Sequence, residues 1–325
     1  MGNELERGQA CLLGLAAGDA LGMPGQTLSR EEIAARYGRI TAFVAPFDGH
    51  PVSHGLGAAQ ITDDTEQTLL LARRLIAEPE GFDEKGWAQD LLDWEAEIRA
   101  KGLADLLGPS SKTAIAALLE GTPPDRTGIN GTTNGAAMRI APVGLSVAPQ
   151  TDRLVARVIQ TCRVTHNTGE AIAAAAAVAM MISCGIAGQE FAQALPMALE
   201  AARAGQKAGH PKGTPDMAGR IEQAIDLAGQ GEDALIRGIG TSVASSESVA
   251  CAFGLLSLGR PIWDTLTLAA NIGDDTDTIG AITGSMSGAL GQTLPDAAIA
   301  RLRAANEADL DGLAAPLLAL RRVMA

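Results

Sequence analysis

The chain has 325 residues, enough for one large domain or two of ordinary size; 46% of them are hydrophobic but only 3% aromatic. Ala, Leu, Ile and Gly must fill such a core, which favours close-packed helices over a sandwich or barrel. The net charge of −13 excludes a nucleic acid or an anionic membrane surface held by bulk electrostatics, and leaves room for a small phosphorylated ligand held by local donors.

Helical signals run the length of the chain. Leu5, Leu12, Leu13, Leu15, Ala16 and Ala20 form an amphipathic pattern that ends near Gly22-Met23-Pro24-Gly25. Further helices are expected to begin near Ser29, Asp63, Asp83, Ser111, Asp152, Thr168, Gln189, Asp216, Glu232, Ser245, Pro261, Thr276, Pro295 and Asn306, many of them at residues that cap or start helices. Period-two alternation is confined to short pieces such as Ile40 to Val44. Polar or Gly/Pro-rich connections fall at 45–61, 121–135, 205–215 and 238–245, none biased enough to be a disordered linker. The expectation is an all-α chain, 1–325 as a single helical domain, with the long loops 45–61 and 121–135 lining a site. The Ala-rich run from Ala171 to Ala187 is about as long as the shortest membrane spans, but Ala contributes little insertion energy, so a buried core helix is expected. Cys11, Cys162, Cys184 and Cys251 are scattered without CxxC pairing and read as buried free thiols. The charged N-terminus MGNELERGQA has no apolar signal core, so the expected location is cytoplasmic.

Two acidic strings stand out: Thr62-Asp63-Asp64-Thr65 and Asp274-Asp275-Thr276-Asp277-Thr278. Alone, the first is explained as well by helix capping, with Thr62 or Asp63 as the cap. The second is harder to explain that way. On a regular helix residues 275 and 277 point about 200° apart, so both face one ion only if the chain enters the helix in a non-helical conformation. Crowded carboxylates without nearby basic residues repel one another unless a cation compensates. Together the strings supply hard oxygen donors suited to Mg²⁺, Mn²⁺ or Ca²⁺. Between them lies a Gly/Asn/Thr-rich loop, Gly128 to Gly135, running into an apolar helix whose N–H groups can receive phosphate oxygens; alone it is a weak signal. His50 and His54 are spaced as metal ligands but interrupted by Pro51, and a Cys162 thiol nucleophile near His166 is a poor competitor to the carboxylates.

The segments Gly14 to Gly22, Thr62 to Thr65, Asn134-Gly135 with Met138-Arg139, Thr165-His166 and Gly273 to Thr278 resemble, in this order and spacing, the ADP-ribosylglycohydrolase family, which includes the dinitrogenase-reductase-activating glycohydrolase. The resemblance spans nearly the whole chain. It implies an all-α orthogonal helical bundle, a central cleft with two Mg²⁺ or Mn²⁺ ions, and hydrolysis at the anomeric carbon of a ribose. By resemblance, Thr62, Asp63, Asp64, Asp275, Asp277 and Thr278 are metal ligands, with Asp63 or Asp64 accepting the proton of the attacking water. Asn134, Gly135 and Met138 border the ribose and phosphates, and His166 contacts the ligand.

Two positions depart from the family pattern. Where the family often has Glu, seven residues after the Asp of the Gly18-Asp19-Ala20 segment, this chain has Gln26, which cannot act as a general base but can bind substrate. Where the family often reads Gly-Gly-Asp-Thr-Asp-Thr, Asp274 replaces the second glycine, and its carboxylate can bind a substrate hydroxyl or simply cap the helix. The substrate is thus expected to be an ADP-ribosylated protein side chain or a small ADP-ribosyl or N-ribosyl compound. A non-catalytic ADP-ribose-type binding or structural protein, and a metal-dependent pyrophosphohydrolase, are the competing readings. The scarce aromatics leave Phe43, Phe47, Trp87 or Trp94 as candidates to stack an adenine.

Overall fold

A computed structural model describes residues 2–100, 108–212 and 215–323. Among the described residues eighteen α-helices follow one another and no strand forms. They are α1 (Gly2–Gly22), α2 (Arg30–Tyr37), α3 (Asp63–Ala77), α4 (Glu84–Ala100), α5 (Pro109–Leu119), α6 (Pro124–Thr127), α7 (Gly135–Met138), α8 (Ala141–Ser146), α9 (Thr151–Cys162), α10 (Gly169–Ile186), α11 (Phe191–Ala208), α12 (Met217–Ala228), α13 (Glu232–Ile239), α14 (Ser245–Ser257), α15 (Ile262–Ala269), α16 (Thr276–Ala289), α17 (Asp296–Ala305) and α18 (Ala314–Val323).

The expected helix starts hold to within two residues except the last. Asn306 does not open a helix. Its side-chain amide accepts from the Ile61 N–H (3.1 Å) and donates to the carbonyls of Ala59 and Leu302 (2.8 Å each), ending α17 and pinning a distant loop. Asn271 acts likewise on Ile40, accepting its N–H (2.9 Å) and donating to its carbonyl (2.8 Å). The alternating Ile40 segment therefore satisfies its backbone against a side chain and needs no neighbouring strand. The short helices α6, α7 and α8 fall below the length at which periodicity is visible, and α11 runs to Ala208 into the region expected to be loop from 205.

Helix α10 is buried over its whole length. Its alanines let α11 approach through Ala194, Ala198, Ala201, Ala202 and Gly205, all buried. The four cysteines are free and buried, as expected. Helix α1 divides the apolar interior: Cys11, Leu12 and Leu15 join the main core, whereas Leu13, Ala16, Ala17, Ala20 and Leu21 join a second cluster with Ile33, Ile40, Leu266 and Leu302.

Helices α1 and α16 run antiparallel in backbone contact. Gly14 faces Gly284, Gly18 faces Gly280, and Gly288 faces Ala10; a methyl on any of these glycines would fall inside the opposing carbonyl oxygen. One turn further on, Gly22 meets Thr276, whose hydroxyl donates to the Gly22 carbonyl (2.7 Å). Four-residue spacing on both helices makes this seam, and the seam delivers the acidic start of α16 to the end of α1.

Gly18→Ala should therefore lower stability by about 1–3 kcal/mol, the usual range for overpacking, whereas Gly81→Ala, with open space around it, should be close to neutral. Urea midpoints of the two variants check this.

Candidate active site

The first acidic string is held from α1. Asp19, wholly buried, accepts the Thr62 N–H (2.9 Å) and hydroxyl (2.8 Å) and the Thr65 N–H (3.2 Å) and hydroxyl (2.5 Å). Thr62 is the N-cap of α3 but makes no capping bond with its own side chain. The cap comes instead from Asp19, across the fold, and it satisfies N–H groups of the first turn that no intrahelical carbonyl can reach. Thr62 and Asp19 are thereby occupied with each other, and Asp63 and Asp64 face the cleft.

The second string enters α16 as the two-sided geometry requires. Asp275 is the N-cap with φ −95° and ψ 56°, outside the helical region, and Asp277 lies in the first turn. Upstream, Asp274 adopts φ 58° and Thr27 φ 64°, left-handed conformations that are uncommon for non-glycine residues and rarer still for a β-branched one. The two residues are zipped together: Thr27 N–H donates to the Asp274 carbonyl (2.6 Å) and Asp274 N–H to the Leu28 carbonyl (2.8 Å). Gln26 and Asp275, the residues next to this pairing, both face the cleft.

The strings converge. Thr278 donates to the Asp64 carboxylate at 3.4 Å. Gln26, Asp63, Asp64, Asn134, Gly135, Met138, His166, Asp275, Asp277 and Thr278, all singled out from the sequence, line one cleft with about 650 Å³ of empty space, part of it open to solvent. That size suits a small-molecule site. Thr62 and Asp274 are not in the lining: Thr62 sits one layer back on Asp19, and Asp274 is exposed, accepting from the Thr241 hydroxyl (2.9 Å). The aromatic candidates are absent from the wall as well. Trp87 and Trp94 are buried in the core, Phe43 packs edge-on against Trp263, and Phe47 lies under Arg36.

Gly108, Ser111, Val243 and Gln67, which were not anticipated, and Thr133, which belongs to the expected 128–135 loop, complete the lining. Gln67 lies one helical turn after Asp63 on the same face of α3, a spacing visible in the sequence; the others converge only through tertiary structure. The opposite wall is built by close approach. At Gly131 and Gly135 a methyl would collide with the Thr165-His166 turn, so glycine lets the 128–135 loop lie directly on His166. Asn134 donates to Ser248 (3.0 Å) and to Asp275 (2.5 Å), tying this wall to the second string. Loop 45–61 contributes indirectly: the buried Ser53 hydroxyl accepts from the Gln26 amide (2.7 Å) and donates to the Met23 carbonyl (3.1 Å).

The electrostatics are lopsided. Burial, then the charges of Asp19 and Asp275, push the Asp63 carboxyl up to about 8. Burial raises Asp19 and Asp275 to about 6 against the opposing pull of their hydrogen bonds, and Asp64 and Asp277 go well above the usual carboxylate range through burial and then repulsion by neighbouring carboxylates, Asp63 first for Asp64 and Asp275 first for Asp277. Asp64 Oδ1 and Asp277 Oδ1 are buried without a hydrogen-bond partner. Orphaned carboxylate oxygens flanked by a threonine hydroxyl suit a hard divalent cation in charge and in donor type. No group of three or more His, Cys, Asp or Glu among the described residues is gathered as a ready-made cation cage; the donors are shared between carboxylates and hydroxyls of the two helix starts.

The profile of the ADP-ribosylglycohydrolase family matches residues 2–324. The protein YegU of Escherichia coli (strain K12) is 32% identical over 98% of this chain and 98% of its own length. The ADP-ribosylarginine hydrolase Tri1 of Pseudomonas putida (strain GB-1) is 27% identical over 88% of this chain and 71% of its own. A solved ADP-ribosylglycohydrolase-related protein complex superposes with a TM-score of 0.73 over the whole of both chains at 23% identity, a likeness of fold. Fold, motif order and sequence profile agree: the chain belongs to the ADP-ribosylglycohydrolase family.

Proposed function

We propose that the chain is a divalent-metal-dependent hydrolase that cleaves the glycosidic bond at the anomeric carbon of an ADP-ribosyl or ribosyl group. The observation that carries this reading is the pair of unpartnered buried oxygens, Asp64 Oδ1 and Asp277 Oδ1, in a cleft that holds Asp63 and Asp275 as well and, among the described residues, no lysine or arginine. Asp63, Asp64, Asp275, Asp277 and Thr278 would hold the ions, two Mg²⁺ or Mn²⁺, with Thr62 supporting from behind. The chemistry supplied there is Lewis acidity toward a water and the ribose diol. Asp63 or Asp64, ionised once cations offset the crowded negative charge, takes the proton from the attacking water. Positive charge that develops on the sugar in an oxocarbenium-like transition state is stabilised by the surrounding carboxylates.

Gln26 binds and does not transfer protons. With an amide N–H donated to Ser53, its carbonyl oxygen is free to accept from a substrate hydroxyl. No aromatic ring other than His166 lines the cleft among the described residues, so a purine is not held there by stacking between rings. This favours a compact ribosyl group as the part of the substrate that the cleft grips.

The test is a screen of ribosylated and ADP-ribosylated compounds with Mg²⁺ or Mn²⁺, products identified by mass spectrometry. Free ribose or ADP-ribose is expected; AMP would instead indicate pyrophosphate cleavage, and no turnover with retained binding would indicate a binding protein. Asp64→Asn should lower kcat by at least about 10²-fold, the lower range for loss of a general base, and Gln26→Ala should act mainly on KM. If Gln26→Glu raised turnover of ADP-ribosylated substrates by orders of magnitude, the native chain would be a disabled member of the family.

Stability should report the same carboxylates. Their raised pKa values mean that the folded chain binds more protons than the unfolded one between the ordinary value of 3.8 and about 8. In EDTA, stability should therefore fall as pH rises through about 4 to 8. Millimolar Mg²⁺ or Mn²⁺ should raise the melting temperature, most strongly at the upper end. Asp277→Asn should shrink both effects. Melts insensitive to pH and to cation would remove the case for a cation site.

A further inference from the structure

Arg139 is the buried group whose position the proposed chemistry does not account for. It is 1% exposed and makes no ion pair among the described residues. A guanidinium so placed is costly to desolvate. Its contacts are instead with two neutral side chains: Nη1 donates to Gln67 Oε1 and Nη2 to Thr165 Oγ1, both at 2.7 Å, while the group lies 5.6 Å from the centre of the Trp87 ring. Gln67 lines the cleft itself, and Thr165 touches His166, which does.

A guanidinium can only donate, which fixes the direction of its own two bonds and biases those downstream. Because the Gln67 carbonyl oxygen takes Arg139, the Gln67 amide nitrogen faces Asp63 Oδ2, at 3.4 Å. Because a lone pair of Thr165 takes Arg139, the Thr165 proton must go elsewhere. His166 Nδ1 stands at 2.9 Å and the Cys162 carbonyl at 3.4 Å, so the imidazole is the better acceptor. With Nδ1 as acceptor, the ring proton belongs on Nε2, which stands 2.9 Å from Thr133 Oγ1 and donates to it in that tautomer. Thr133 passes its own proton to Ser110 at 3.2 Å, beside Gly108 and Ser111 in the cleft wall. The chain of donors runs one way from Arg139 to the cleft on both sides.

We propose that Arg139 is a positioning residue that polarises both walls of the cleft, holding Gln67 as a donor to Asp63 and His166 as the Nε2–H tautomer. This rests on the proposed hydrolase reading only for its effect on turnover; the tautomer itself does not depend on activity.

The test is long-range ¹H–¹⁵N spectroscopy of the full chain labelled at histidine, without metal or substrate, the His166 signals assigned by their loss in His166→Asn. The native protein should show His166 protonated on Nε2. Thr165→Val, which removes the relay while keeping shape, should shift the ring to a mixed or Nδ1–H state, and Arg139→Lys, whose ammonium lacks the planar fork, should do the same. With an identified substrate, both variants should lose about 10–100-fold, the range for partners that orient an active group, and Arg139→Lys should lose it in kcat more than in KM. A native Nδ1–H tautomer, or an Nε2–H tautomer unchanged in both variants, would overturn the proposal. So would full rescue of turnover by Lys, since charge alone would then suffice. Should Arg139→Lys fail to fold, Thr165→Val decides; should the native chain hydrolyse nothing, the spectra still decide.

Discussion

The buried carboxylate of Asp19 receives four donors from the start of α3, two from backbone N–H groups and two from hydroxyls. A helix ordinarily draws its N-cap from the residue just before it. Here the cap comes from a neighbouring helix, so the start of α3 is defined by tertiary contact. Asp63 and Asp64 project where they do because Asp19 holds the turn beneath them. Asp19 in turn is placed by the seam in which Gly14 and Gly18 meet Gly284 and Gly280. The same seam brings Asp275 and Asp277 to the α1 end of the cleft. Both halves of the site thus hang on one backbone-to-backbone contact, and small side chains there are a condition of the chemistry.

Such a site carries a standing electrostatic cost. Asp64 and Asp277 are buried and near one another, with oxygens that no N–H or O–H satisfies. The protein relieves part of the strain with neutral donors, as where Asn134 meets Asp275. Arg139 stands behind Gln67 and not against any carboxylate. A direct ion pair would have neutralised the cleft and closed it; a cation one residue removed leaves the carboxylates free to bind something positive.

Much of this was legible in the sequence because the informative residues are local. Asp63 with Asp64, Asp275 with Asp277, and Asn134 with Gly135 announce themselves as short strings at helix starts, and the structure gathers them in one cleft. The glycines at four-residue spacing were equally visible, although their function as a seam was not. What stayed hidden depends on distant pairing. Thr62 looks like its own cap but is held by Asp19, 43 positions earlier. Asp274 looks like one more acid of its string, yet an αL backbone turns it toward Thr241 and away from the cleft. Ser111 and Val243 belong to the lining by contact alone, with no chemical signature along the chain.

The asparagine anchors at 271 and 306 bear on when the cleft comes into being. Asn271 ties down Ile40 across 231 residues, and Asn306 ties down Ala59 and Ile61 across 247 and 245. The connection between α2 and α3, which carries Ser53 and so orients Gln26, is therefore tethered at both ends by residues far later in the chain. Contacts so far apart in sequence pay a large loop-closure entropy and form late. On the ribosome, the N-terminal half emerges with its acidic string at Thr62 already made but with no partner string and no anchored loop. The cleft is consequently complete only once both acidic strings and both asparagine anchors have met.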